Sequence, residues 1–165
     1  MPSGRMVLHL GVIDVPYVQA LVGKIAKAKK GKANKPVKTV AGTQTTGDVA
    51  QWLENKYCVM EGFAQLHSED ISQAISNSVA GAIETVMMGG PASIDAFGSA
   101  TSEIETLFKF TYLDNEEITQ TGADGVPTQA AKDGINPRLK SGKGDPRPSF
   151  IATGQYQNSF KAWVE

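Results

Sequence analysis

Between Ser68 and Met88 the chain repeats one pattern: Ile71, Ala74, Ile75, Ser78, Val79, Ala82, Ile83 and Val86 recur at helical spacing, which puts them on one face of a 3.6-residue period. Ser68 is placed to cap the start, and Glu69 and Asp70 suit the positive end of the helix dipole. Gly89-Gly90-Pro91 ends the run, because glycine closes a helix and proline cannot continue it. A long amphipathic helix is therefore predicted over 68–88. A helix with one apolar stripe must bury it against another layer, and the small residues in this stripe allow close approach of a sheet or a second helix. The whole stripe is expected in the core, so that Asp at Ile75 or Ile83 would bury an unpaired charge.

Candidate strands supply the facing layer. Residues 6–15 are rich in Val, Leu and Ile between Gly4 and Pro16, with Gly11 as a candidate bulge. Tyr57, Cys58, Val59 and Met60 have strand propensity, and Gly62 provides a turn or bulge before Phe63. Near the end, Thr153 is placed to cap one helical turn. From Ser159 the residues then alternate, Phe160, Ala162 and Val164 on one side and Lys161, Trp163 and Glu165 on the other. The expected fold is α+β, one domain, with a small mainly antiparallel sheet from 6–15, 57–63 and 159–164 packed by the long helix.

Shorter helices are predicted around this frame. Val18, Leu21, Val22 and Ile25 recur at helical spacing after Pro16. Thr46 is the candidate cap of a helix that carries Val49, Trp52 and Leu53 to about Asn55, and Thr128 caps a brief helix through Lys132 that Gly134 breaks. In 93–119, Ile94, Phe97, Ala100, Ile104, Leu107 and Phe108 fit a helix, whereas Phe108, Phe110 and Tyr112 alternate like a strand. Helix is favoured because the glutamates are good helix formers and no turn signal divides the segment; 104–113 stays open to both.

The 165 residues, 41% of them apolar, suit a single domain with arms. Two stretches lack apolar anchors and are expected to project, 26–45 and 134–149. Net charge is −1, yet it is unevenly spread. Lys24, Lys27, Lys29, Lys30, Lys32, Lys35 and Lys38 form one tract without an acid, 48–124 is acidic with Lys56 and Lys109 its only cations, and Lys132, Arg138, Lys140, Lys143, Arg147 and Lys161 make the end basic again. Such polarity suits subunits that stack basic part on acidic part; solvated loops explain it equally well.

Catalytic and cofactor motifs are not found in this sequence. The single cysteine, Cys58, excludes an internal disulfide and a cysteine metal cage. No Walker loop, glycine fingerprint, or zinc or calcium spacing occurs. Cys58 with His67 as its base has no spacing rule behind it, His9 has no partners at ligand spacing, and Glu103 and Glu105 diverge on a helix. The start, with Asp14 interrupting its apolar run, reads as a strand rather than a signal, and no run reaches the roughly 20 apolar residues that span a bilayer. Neither enzyme activity nor a cofactor nor membrane contact is expected. The lysine tract lacks interleaved aromatics, so any contact it makes with DNA is non-specific.

One resemblance is carried by the run RPSFIATGQYQNSFKAW. With Phe150, Thr153, Gly154, Tyr156, Ser159 and Phe160, it resembles the C-terminal signature of small tailed-phage structural proteins of the neck and tail-completion kind: a basic Pro-rich loop, a Thr-Gly turn and a closing strand. An Asp commonly precedes the Thr-Gly pair in that pattern, and here Ala152 stands there. GVPTQAAKDGINPRLK, TTGDVAQWLE and LHLGVIDVPY are similar to the same group, so the resemblance covers about half the chain. It implies a virion structural protein, terminator-like, assembled in the host cytoplasm and joining as a ring of identical subunits with other neck, portal-side or tail-tube proteins. Candidate interface residues are Arg138, Lys140, Lys143, Arg147, Phe150, Tyr156, Phe160 and Trp163, with the tract from Lys24 to Lys38 facing DNA or an acidic partner. Trp163 is singled out because its charged neighbours place it poorly for a core; a covering helix of the chain itself is the competing account. The alternatives are a non-specific DNA-binding accessory protein and, far behind, a small hydrolase using Cys58 or His67.

Overall fold

The computed structural model describes residues 6–16, 44–92, 95–135, 144–151 and 153–165. Its fold is α+β, as expected. A two-stranded antiparallel sheet joins β1 (Leu8–Val12) to β2 (Phe160–Val164), the two ends of the chain. Between them come α1 (Thr46–Tyr57), α2 (Val59–Leu66), α3 (Ser68–Met87), α4 (Gly98–Thr106), a π-helical segment Leu107–Leu113, a 3₁₀ turn Glu117–Thr121, and the short helices α5 (Gln129–Lys132) and α6 (Gln155–Ser159). The predicted helix at 18–25, the tract 24–38 and most of the arm 26–45 lie outside the described residues, as do Arg138, Lys140 and Lys143 of the second arm.

The sheet has one buried face. Leu8, Leu10 and Val12 stand opposite Val164, Ala162 and Phe160, and Phe160 and Ala162 are buried, in keeping with the alternation of 159–164. The register passes Gly11 without a bulge. Glycine suits the position for another reason: a Cβ at position 11 would lie 3.1 Å from the Trp163 ring, which would have to shift.

The strand expected at 57–63 is helical instead. With a period of two, Glu61 would share the buried side of Val59 and Phe63; with a helical period Val59, Gly62 and Phe63 are buried together and Glu61 reaches water. What separates α2 from α1 is Cys58, in the left-handed conformation at φ 50°. The Glu54 carboxylate then accepts from the backbone N–H groups of Met60 (2.7 Å) and Glu61 (3.0 Å), satisfying two of the free donors of the new helix. At the start of α1 the cap is Thr45, not Thr46. Thr45 and Asp48 form a reciprocal capping box, while the buried Thr46 hydroxyl accepts from Val15 N–H (2.8 Å) and donates to Ile13 O (2.6 Å), tying α1 to the end of β1.

Residues 104–113 are helix. Ile104, Phe108 and Tyr112, four apart, are fully buried, whereas Phe110, which strand alternation would place beside them, is exposed. The last turns widen to the π form, and the Gln157 side-chain amide donates to Lys109 O (2.5 Å) within that stretch and to Asp114 Oδ1 (2.9 Å) at its end. Phe108 stacks on Phe160 at 3.8 Å between centroids, with Phe63 edge-on to both. This aromatic cluster is the centre of the core.

The layer against β2 is thus α4 and its π extension, and the long helix packs on α4. His67, rather than Ser68, holds the N-cap position of α3. Ile71, Ala74 and Ser78 are buried, but Ile83 and Val86 are 55% and 50% exposed, so the expected core stripe covers only the first part of the helix. The reason lies at Ser78, whose hydroxyl donates to Ala96 O (2.7 Å) and bonds Ser99 Oγ (2.6 Å). α4 begins level with Ser78, and the later turns of α3 run past its end.

The described part of the second arm is docked. Gly144 and Arg147 donate backbone N–H to Asp133 O and Ala131 O (3.4 and 3.1 Å), and buried Ser149 accepts from Thr128 N–H (3.0 Å) while its own N–H donates to Glu116 Oε1 (2.6 Å). Thr128 caps α5, as expected.

Candidate assembly surface

The outer face of the sheet is made by the residues that alternate with the buried ones: Val7, His9, Gly11 and Ile13 from the first strand, Lys161, Trp163 and Glu165 from the last. Val7, Ile13 and Trp163 are 42%, 51% and 42% exposed. The Trp163 ring stacks on His9 with centroids 5.3 Å apart and planes at 11°, over the space that Gly11 leaves free. His9 Nε2 lies 3.6 Å from Glu165. On the other side Lys161 Nζ reaches Glu105 at 2.9 Å, and Glu105 also takes Lys109 at 3.3 Å. Partial burial works to raise the Glu105 carboxyl, but the hydrogen bonds and charges of Lys161 and Lys109 outweigh it and hold the group below the usual carboxylate range. The face is therefore an apolar strip centred on an aromatic pair, with charges at its rim.

Of the candidate interface residues that are described, only Trp163 lies on this surface. Phe150 is half-buried against Tyr57, 5.0 Å between centroids, and has φ 67°. Tyr156 and Phe160 belong to the chain's own core, Phe160 with no exposure at all. The Arg147 guanidinium turns inward and donates to Ile151 O (2.8 Å) and Ile135 O (3.1 Å), where it orders the 144–151 segment. Val7, His9 and Ile13 escaped the sequence reading because membership of the face depends on how β1 pairs with β2. A second exposed apolar area, also missed, lies at the end of α3, where Ile83, Met87 and Met88 line an open groove with Ala80 and Glu84.

The residues considered for chemistry are arranged differently. His67 is buried with Nδ1 2.9 Å from Asp70 Oδ2 and Nε2 2.9 Å from Glu117 Oε2. Both ring nitrogens are engaged by carboxylates, and neither is directed at Cys58. Cys58 is exposed in a shallow cleft of about 300 Å³ with Lys56, Glu61, Gln65 and Thr121. Beneath that cleft Tyr112 is fully buried, and burial together with the charges of Glu54 and Glu117 pushes its hydroxyl far above the ordinary tyrosine value. Among the described residues no group of three or more His, Cys, Asp or Glu is placed to hold a metal ion, and no helix is long and apolar enough to cross a membrane. No protein-family model, curated protein or solved structure gives a match to the chain.

Proposed function

We propose that the chain is a structural subunit that works by assembly: a virion protein of the head–tail joining or tail-completion kind, associating with copies of itself as a ring and with neighbouring neck, portal-side or tail-tube proteins. The observation that carries the reading is the solvent-open outer face of the sheet, where Trp163 stands on a folded single chain with Val7 and Ile13 beside it. The resemblance of the C-terminal run supplies the setting. A large aromatic at the centre of an exposed apolar strip is the type of residue that anchors protein contacts.

The test is the mass of the purified chain in solution, alone and with Trp163→Ala. The variant is expected to keep the fold, since the ring lies outside the core, and to weaken association by about 2 kcal/mol. A Trp163→Ala protein that unfolds early yet assembles normally would place that ring in the service of the fold and remove the reading. Binding of free duplex DNA by the monomer, falling steeply with salt, would replace it with a DNA-binding accessory role.

A further inference from the structure

Among the described residues the backbone of β1 is paired on one side only. Val7 and Glu165 exchange both backbone hydrogen bonds (2.8 and 3.0 Å), and Ile13 N–H donates to Ser159 O (2.7 Å). In an antiparallel ladder with this register, Val7, His9, Gly11 and Ile13 turn their N–H and C=O groups to β2. Those of Leu8, Leu10 and Val12 therefore point to the opposite edge, where no described residue bonds them. Natural sheet edges are commonly guarded by lysine, proline, a bulge or an inward charge. This one, Leu-His-Leu-Gly-Val, has none of these, and its register is unbroken.

We infer that this edge is an interaction surface whose occupant is β1 of a second copy, paired antiparallel about a two-fold axis midway between the two Leu10 residues. An unpaired row of alternating donors and acceptors fits only another extended strand, and three features of the edge favour its own copy. In this register Leu10 pairs with Leu10 and Leu8 with Val12 of the second chain, each pair exchanging both backbone bonds, so the edge is complementary to itself. The buried faces of the two sheets fall on the same side, continuing one apolar layer. On the outer side exposed Val7 meets exposed Ile13 of the other copy, and His9 meets Gly11 with the Trp163 ring that lies over it; the charges of Lys161 and Glu165 remain on β2, away from the seam. The result is one four-stranded sheet in place of two two-stranded ribbons, which are marginal alone. The contact closes on itself and does not depend on the ring: a dimer without higher assembly keeps this inference and drops the ring, and a ring with an unpaired edge does the reverse.

The experiment is sedimentation of the full chain over a range of concentrations, with amide exchange read at Leu8, Leu10 and Val12. The unaltered chain should dimerise, and protection of those amides should rise with the dimer fraction. Val7→Lys combined with Ile13→Lys sets lysine against lysine at both ends of the seam and should weaken dimerisation at least about tenfold without changing the monomer's circular dichroism. Val7→Lys combined with Ile13→Glu sets opposite charges there and should restore the dimer, less well as salt rises. A monomer at every concentration, a lysine pair that associates like the unaltered chain, or amides already protected in the monomer would each overturn the inference, the last by showing the edge covered within one chain.

Discussion

In its first half α3 turns Ile71, Ala74 and Ser78 against α4, whereas the same register carried on to Ile83 and Val86 meets solvent. One repeat, in one helix, is core at one end and surface at the other. The apolar spacing is the same in both halves. What differs is the neighbour, since the chain returns from Gly89 and Gly90 to begin α4 beside Ser78, leaving the last turns without a partner layer among the described residues. A hydrophobic stripe reports where an element can be buried; its neighbours decide how much of it is.

Equal substitutions along the stripe measure this difference, and glutamine suits the purpose because it is a good helix former and carries no charge to be weighed by the dipole at either end. The largest effect is expected at Ile71. Glutamine there loses apolar contact and leaves an amide short of partners in the core, at a cost of about 2–4 kcal/mol, to be read as a shift in the urea midpoint with the slope unchanged. An Ile71→Gln protein as stable as the original would mean that the first half of α3 is not core.

A smaller effect is expected where the layers part. Ser78 is buried and its hydroxyl serves both Ala96 O and Ser99 Oγ. Ser78→Ala should cost about 1 kcal/mol, mostly through the unpaired carbonyl, and amide exchange should quicken in the first turn of α4 before it does so in α3. Equal quickening throughout α3 would place the junction elsewhere.

The same distinction explains what could be read from residues alone. The α+β class, the long helix, the cap at Thr128 and the inward side of β2 each follow from local signals of period, capping or alternation. The strand expected at 57–63 rests on the propensity of Tyr57, Cys58, Val59 and Met60; the carboxylate that stabilises α2 is Glu54, on the preceding helix, and becomes a cap only once Cys58 has turned the chain. Trp163 was legible as an outward residue because alternation is local. Its companions Val7, His9 and Ile13 were not, because they lie at the far end of the chain and join it only through the strand register. Tyr156 and Phe160 belong to the signature but pack on Phe108 of the π segment, which the signature does not contain, and the guanidinium of Arg147 turns to Ile151 O within the signature and to Ile135 O outside it.

The smallest effect on folding is expected at Ile83, and it bears most directly on the comparison. The side chain is more than half exposed and faces the groove it forms with Ala80, Met87 and Met88, so little apolar area is lost when glutamine replaces it. Ile83→Gln should stay within about 0.5 kcal/mol of the original protein, as substitutions on open surface do. A loss of about 2 kcal/mol in dilute solution would show this end of α3 to be covered within the single chain. If the cost is near zero when dilute and grows with protein concentration, the end of the stripe is covered by another copy, since any contact made only by the folded protein adds to its stability by mass action. The urea midpoint of Ile83→Gln measured against the original at two concentrations a hundredfold apart therefore separates an exposed helix end from one buried in the monomer and from one buried in the assembly.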